Sequence, residues 1–248
     1  EVFGQDFELL ISSPNNILAI EYMKALIRYN STVAPLTLKR MGSGYNETNI
    51  KGELDSASAI RTAVKNGSWQ NICSVPNDLK TLYNENYFDF SIMLQGLSDI
   101  CLYSIISANS EQLKNICDYT EGIENRIINK AQKHHTLEDL AANIKTKRYT
   151  LARLKRMLLY PSLNITKELM NNAKKCPPYA NVLGIKKEKK EMLTKLPNFT
   201  ITRKKDLEKI TDSDTLDMLK VNILADDLYC QISRRKKGMF FGQGMIVI

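Results

Sequence analysis

Asp55-Ser56-Ala57-Ser58-Ala59-Ile60-Arg61 follows a loop that carries Gly42, Gly44 and Gly52, and it is closed by Gly67. Its small hydroxyl residues mark the start of a short helix, expected over 56–66, with Arg61 in the second turn. The first backbone N–H groups of a helix have no partner inside it and carry a partial positive charge, so such a turn is ready to hold phosphate. The hydroxyl of Ser58 can add a hydrogen bond and the fork of Arg61 several more, which makes both anion-binding candidates. An ordinary capped surface helix would show the same residues.

Working upstream, Pro14-Asn15-Asn16 precedes an apolar run from Ile17 to Tyr29, with Asn15 or Asn16 as the expected N-cap. In that run Glu21, Lys24 and Arg28 form one narrow polar stripe, so the helix is expected to be mostly buried, as when packed on a sheet. Pro35-Leu36-Thr37-Leu38-Lys39 alternates like a strand, with Arg40 at its C-terminal end. In open α/β sheets ligands sit at the C-terminal ends of strands, which would gather Arg40, the glycine loop and the Ser56 turn at one edge.

Downstream, from about 77 to 172, the pattern is helical. Phe88 to Ile106 reads as one or two apolar helices, Ile123 to Ile128 as another, and Leu137 with Leu140 as a short one opened by Thr136. Leu151, Leu154 and Leu158 form a core stripe at i, i+3, i+7, with Thr150 as a candidate N-cap. The tail is mixed: strand-like over 180–185, helical over 187–196, strand-like over 198–202, helical over 216–229, and a last short strand over 244–248.

Charge points to an anionic partner. The chain has 248 residues and a formal net charge of +8, which favours polyanions without choosing among them. The densest basic group is Lys145, Lys147, Arg148, Arg153, Lys155 and Arg156, with no acid inside that stretch and Tyr149 among them. Lys147, Arg148, Arg153 and Arg156 are the candidate RNA contacts, since phosphates and exposed bases suit basic and aromatic side chains together. The runs at 186–190, 203–205 and 234–237 read as solvated faces.

Composition excludes several classes. No apolar run approaches the ~20 residues of a membrane span, so no membrane partner is expected. The N-terminus is acidic and amphipathic, unlike a signal peptide. Five scattered cysteines without CxxC spacing fit reduced thiols in a cytoplasm. The two histidines, His134 and His135, are adjacent and cannot share a helical face, so neither a metal site nor a Ser–His–Asp triad is expected. The chain lacks an initiator Met and opens as if in mid-helix, which suggests a fragment or trimmed product.

In order, the strings PNNILAIEYMKAL (14–26), PLTLKRMGSGY (35–45), SASAIR (56–61), GIENRI (122–127), IKTKRYTLARLKRMLL (144–159), PPYANVLGI (177–185) and ADDLY (225–229) resemble the bacterial tRNA(Met) cytidine acetate ligase family. The resemblance implies an α/β plus α architecture. A remnant of a Rossmann-like nucleotidyltransferase domain would occupy 1–75, and a mainly helical tRNA-binding domain with a small mixed α/β tail 76–248. It implies activation of acetate with ATP as acetyl-adenylate, Mg2+ accompanying the ATP, and acetylation of the wobble cytidine of elongator tRNA(Met) in the cytoplasm. It places Asn15 and Arg40 at the ATP site, to which the helix-start argument adds Ser58 and Arg61. It names no catalytic residue and no structural metal.

One departure matters. The family's amino-terminal part carries a His-x-Gly-His-like nucleotide motif, and this chain has none. The chain therefore corresponds to roughly the carboxy-terminal two-thirds of such a protein and is expected to be inactive alone. A non-catalytic tRNA-binding module and a scaffold with merely solvated basic patches are the alternatives.

Overall fold

Pro14 occupies the first turn of helix α1 (Pro14–Arg28), and Ser13, not Asn15 or Asn16, stands at its N-cap. The reason is local: proline lacks the N–H that a first helical position leaves unused, and its φ is already helical. Both asparagines thus fall inside the first turn. The computed structural model describes residues 13–38, 54–66, 74–79, 90–120, 122–177, 179–196, 199–235 and 244–248, with Glu8, Ile11 and Gly238. The chain divides into two units, Glu1–Tyr87 and Phe88–Ile248.

The first unit departs from expectation in two ways. No residue of α1 is buried, although Ile17, Leu18 and Ile20 were expected inside; its polar stripe does form, with Lys24 pairing Glu21 at 2.7 Å. Residues 35–38 are not a strand, and Leu36 and Leu38 stand 95% and 98% exposed. Both corrections have one cause. An amphipathic helix is buried, and a strand paired, only against a second surface, and the described part of this unit holds no strand. Helix α2 (Ala57–Lys65) forms where expected.

The second unit is built on helices α3 (Phe90–Ser107), α4 (Ser110–Asn115), α5 (Ile123–Ala131), α6 (Leu137–Ile144), α7 (Leu151–Leu159) and α8 (Lys167–Ala173). Side chains set their starts. Asn109 and Gln112 make a reciprocal capping box on α4, and Thr136, Thr150 and Thr166 accept from N3 backbone N–H groups on α6, α7 and α8. Ile105, Ile127, Leu140, Ile144, Leu154, Met157 and Leu158 are wholly buried in one core. Tyr119 is buried there too and donates to the Met157 carbonyl at 3.2 Å. Burial pushes the Tyr119 phenol far above its ordinary value.

A second, small core of Ile201, Ile210 and Leu219 lies under the tail. Strand β1 (Ala180–Asn181) pairs in parallel with β3 (Thr200–Ile201), and β2 (Gly184–Ile185) with β4 (Ile246–Val247). The 180–185 stretch is thus two strands rather than one, and 187–195 is a 3-10 helix. Helix α9 (Ser213–Ile232), capped by Asp212, is longer than its sequence pattern indicated. It passes close to α3 at Gly96, where an added Cβ would meet Ile232 Cγ2 at 3.2 Å.

Asp206 ties this tail together. Only 6% exposed, it accepts from Lys209 at 2.9 Å, from the Thr202 hydroxyl at 2.7 Å and from the Thr202 N–H at 3.0 Å. The Lys209 and Thr202 bonds, against a smaller opposing effect of desolvation, hold its carboxyl well below the usual carboxylate range. A carboxyl whose folded pKa is depressed stabilises above its unfolded pKa, and that contribution is lost as pH falls below it. Asp206→Asn is therefore expected to cost about 1.5–3 kcal/mol at neutral pH, as for a bonded charge. The gap to the parent should narrow as pH drops through the ordinary carboxylate range. A pH-independent gap in urea unfolding would sink this account.

Candidate functional site

Two regions carry the residues singled out above, one in each unit. In the first, Ser56 is 1% exposed and its hydroxyl accepts from the Ala59 N–H at 3.0 Å. This is the cap that starts α2. Ser74 accepts from the Asp55 N–H at 2.9 Å and donates to the Asp55 carboxylate at 2.6 Å, pinning the approach to the helix. Ser58 sits in the first turn, half-buried, and Arg61 one turn on is exposed. The Arg61 guanidinium reaches back to the Ser58 hydroxyl at 3.3 Å. Cap, hydroxyl and guanidinium thus lie together at the helix start, an arrangement able to hold an anion. Asn15 lies exposed in the first turn of α1. Arg40 and the glycine loop lie outside the described residues.

In the second unit the basic stretch folds into a turn and a helix. Thr146 and Tyr149 close the turn with an antiparallel bridge, and α7 follows. Leu154, Met157 and Leu158 face the core, but Leu151 is 39% exposed. The leucine stripe is therefore shorter than its spacing suggested, and Met157 completes the buried face.

The basic stretch is partly balanced by acids. Arg153 pairs with Asp118 at 2.9 Å and lies 5.1 Å over the Tyr149 ring. Lys155 pairs with Glu138 at 3.5 Å. Arg148 has a partner of its own in the chain. Tyr149 is only 7% exposed, and its hydroxyl shares a 3.2 Å hydrogen bond with Thr120, so it offers no open face on which a base could stack. Lys147 and Arg156 stand exposed. The two acids that pair within this stretch, Asp118 and Glu138, come from distant parts of the chain, which no local count of charges could reveal.

The other features are quieter. His134 and His135 follow the C-terminal end of α5, half-buried and exposed respectively. Burial pushes the Cys101 thiol up to about 11, with a Ser162 hydrogen bond opposing, so it is held as a thiol rather than a nucleophile. Among the described residues, no group of three His, Cys, Asp or Glu side chains could hold a metal, and no helix is long and apolar enough to cross a membrane. A cleft of about 510 Å³ between α8 and α9 is lined by Glu168, Asp214 and Asp217 against Lys220, the wrong sign for phosphate.

The fold is nucleotidyltransferase-like. Its backbone is similar to crystal structures of Thermotoga maritima TmcAL. The apo form matches with a TM-score of 0.80 at 24% identity, over 99% of this chain and 63% of that one. The form bound with alpha-thio ATP matches with a TM-score of 0.77 at 22% identity. The chain belongs to the HIGH Nucleotidyl Transferase family, whose profile matches residues 2–240. Among curated relatives, the tRNA(Met) cytidine acetate ligase of Clostridium perfringens strain SM101 is 34% identical over 230 residues, covering 90% of this chain and 54% of that protein. The ligase of Acetivibrio thermocellus is 32% identical over 257 residues, covering 96% and 62%. The chain thus spans rather more than half the length of these relatives.

Proposed function

We propose that this chain is part of a cytoplasmic ligase that activates acetate with ATP and acetylates the wobble cytidine of elongator tRNA(Met). The observation that carries the reading is the family match over 2–240 together with relatives of that name at 32–34% identity. The chemistry balances in two steps. An acetate oxygen attacks the α-phosphorus of ATP, pyrophosphate leaves, and acetyl-adenylate forms. The N4 amine of cytidine then attacks the acetyl carbon, loses a proton, and AMP leaves.

This chain's residues would supply binding and charge. The α2 start, with Ser58 and Arg61, would hold phosphate oxygens; Asn15 would hydrogen-bond the nucleotide; Arg40 would offset the charge that develops on phosphorus. Mg2+ would enter on the ATP phosphates rather than in a protein cage. Lys147 and Arg156, both exposed, would carry the tRNA backbone contact. Arg148 and Arg153 would lend charge while holding the turn and α7 in place.

The test is the transfer itself. Expression of the full-length protein in cells whose tRNA(Met) lacks the modification is expected to produce N4-acetylcytidine at the wobble position, read by nucleoside mass spectrometry. Unmodified tRNA in the presence of folded protein would remove the ligase assignment.

A further inference from the structure

A cavity of about 140 Å³ opens at the start of α5, between that helix and the Thr146–Tyr149 turn, with Gly122, Arg126, Thr146 and Arg148 among its lining residues. We propose that it holds one phosphate group of the RNA backbone, a reading that rests on the tRNA assignment above.

Four observations meet there. Gly122 stands at the N-cap of α5 in the left-handed region, φ 79°, and gives the helix no side-chain cap. Among the described residues, the Ile123 N–H of the first turn already donates to the Thr120 carbonyl at 3.3 Å, and the Glu124 N–H is left for an outside acceptor. Arg126, one turn along, has five N–H donors. Among the described residues its guanidinium makes a single hydrogen bond, a long one of 3.4 Å to the Asn143 carbonyl. Arg148 lines the cavity as well while keeping the partner it has within the chain. The Thr146 hydroxyl oxygen is buried without a partner among the described residues, a cost that a bound oxyanion would remove.

The remaining lining, Ile123, Ile144 and Tyr149, keeps the local dielectric low, which strengthens the charge–oxyanion attraction. Glu124, the acid of the first helical turn, does not line the cavity; it is buried with Ile127 and Ala131 on the core side of α5. Exposed Lys147 lies between Thr146 and Arg148 in the same turn, so an RNA strand held by Lys147 would pass the cavity mouth. That neighbour favours a backbone phosphate over a free one.

The experiment uses the 248-residue chain, tRNA at several salt concentrations, and thermal unfolding with and without millimolar inorganic phosphate. Arg126→Gln is expected to lower tRNA affinity roughly tenfold, as for one charge-assisted contact, and to reduce the slope of log affinity on log salt by about 0.7–0.9. Arg126→Lys should keep most of the slope. The Lys147→Gln/Arg156→Gln variant tests the underlying reading. If that variant flattens the slope and Arg126→Gln does not, the cavity assignment falls and the tRNA reading stands. If neither changes it, both fall. If Arg126→Lys and Arg126→Gln melt earlier to the same degree and bind alike per folded molecule, Arg126 only caps α6 and the proposal is overturned. If phosphate raises the melting temperature of the parent but not of Arg126→Gln, with the tRNA slope unchanged, the cavity takes free phosphate and the RNA assignment is overturned.

Discussion

Supplied with ATP, Mg2+ and acetate, the 248-residue chain alone is expected to form acetyl-adenylate at less than about one-thousandth the rate of a full-length relative. Phosphoryl-type transfers depend on positioning and on fixed donors aimed at developing charge, and the loss of one such donor costs about 10²–10³ in rate. The resemblance assigns triphosphate contacts to a His-x-Gly-His-like segment. The histidines present here, His134 and His135, are adjacent and lie in the second unit, beyond α5. They cannot reproduce a pair of imidazoles separated by two residues, the second a glycine. Binding groups at the α2 start would remain, so ATP could still be held weakly without being turned over. Acetate-dependent pyrophosphate exchange near the rate of the Clostridium perfringens protein would overturn this.

Leu154→Ala is expected to destabilise the second unit by about 3–5 kcal/mol, the cost of a cavity in a packed core. Leu154 has no exposed surface and sits where α5, α6 and α7 share one core. For a unit of this size that is a fall in melting temperature on the order of 10 °C. Leu151→Ala is the control. It belongs to the same i, i+3, i+7 pattern, yet at 39% exposure it should cost within about 0.5–1 kcal/mol. Equal losses at the two positions would mean that the pattern, not the packing seen here, describes the buried face. A loss below 1 kcal/mol at Leu154 would mean that α7 is not part of the core.

Helix starts in the second unit were legible because their causes are local. Thr136 and Thr150 announce α6 and α7 by the side-chain oxygen each offers three residues ahead, and that geometry needs no other part of the chain. The same holds for the Ser56 cap of α2. Membership of the nucleotidyl transferase family was legible from the order of short strings along the chain, because order survives where single strings are common. Overreach came where a local pattern was taken for a buried surface. The apolar face of α1 and the alternation at 35–38 have the right periods, but a period says which side would be covered, not that anything covers it.

By itself, then, the sequence determined most of the helical segments, the Ser56, Thr136 and Thr150 caps, the excess positive charge and the family. Tertiary structure alone decided what the charges do. Asp118 reaches Arg153 across 35 positions, and Arg153 lies over the ring of buried Tyr149, which removes Tyr149 from the set of stacking residues. Folding likewise set Gly122, Arg126, Thr146 and Arg148 around one cavity. Pairings of this kind depend on which surfaces meet in three dimensions, and neither helical periodicity nor local charge density carries that information.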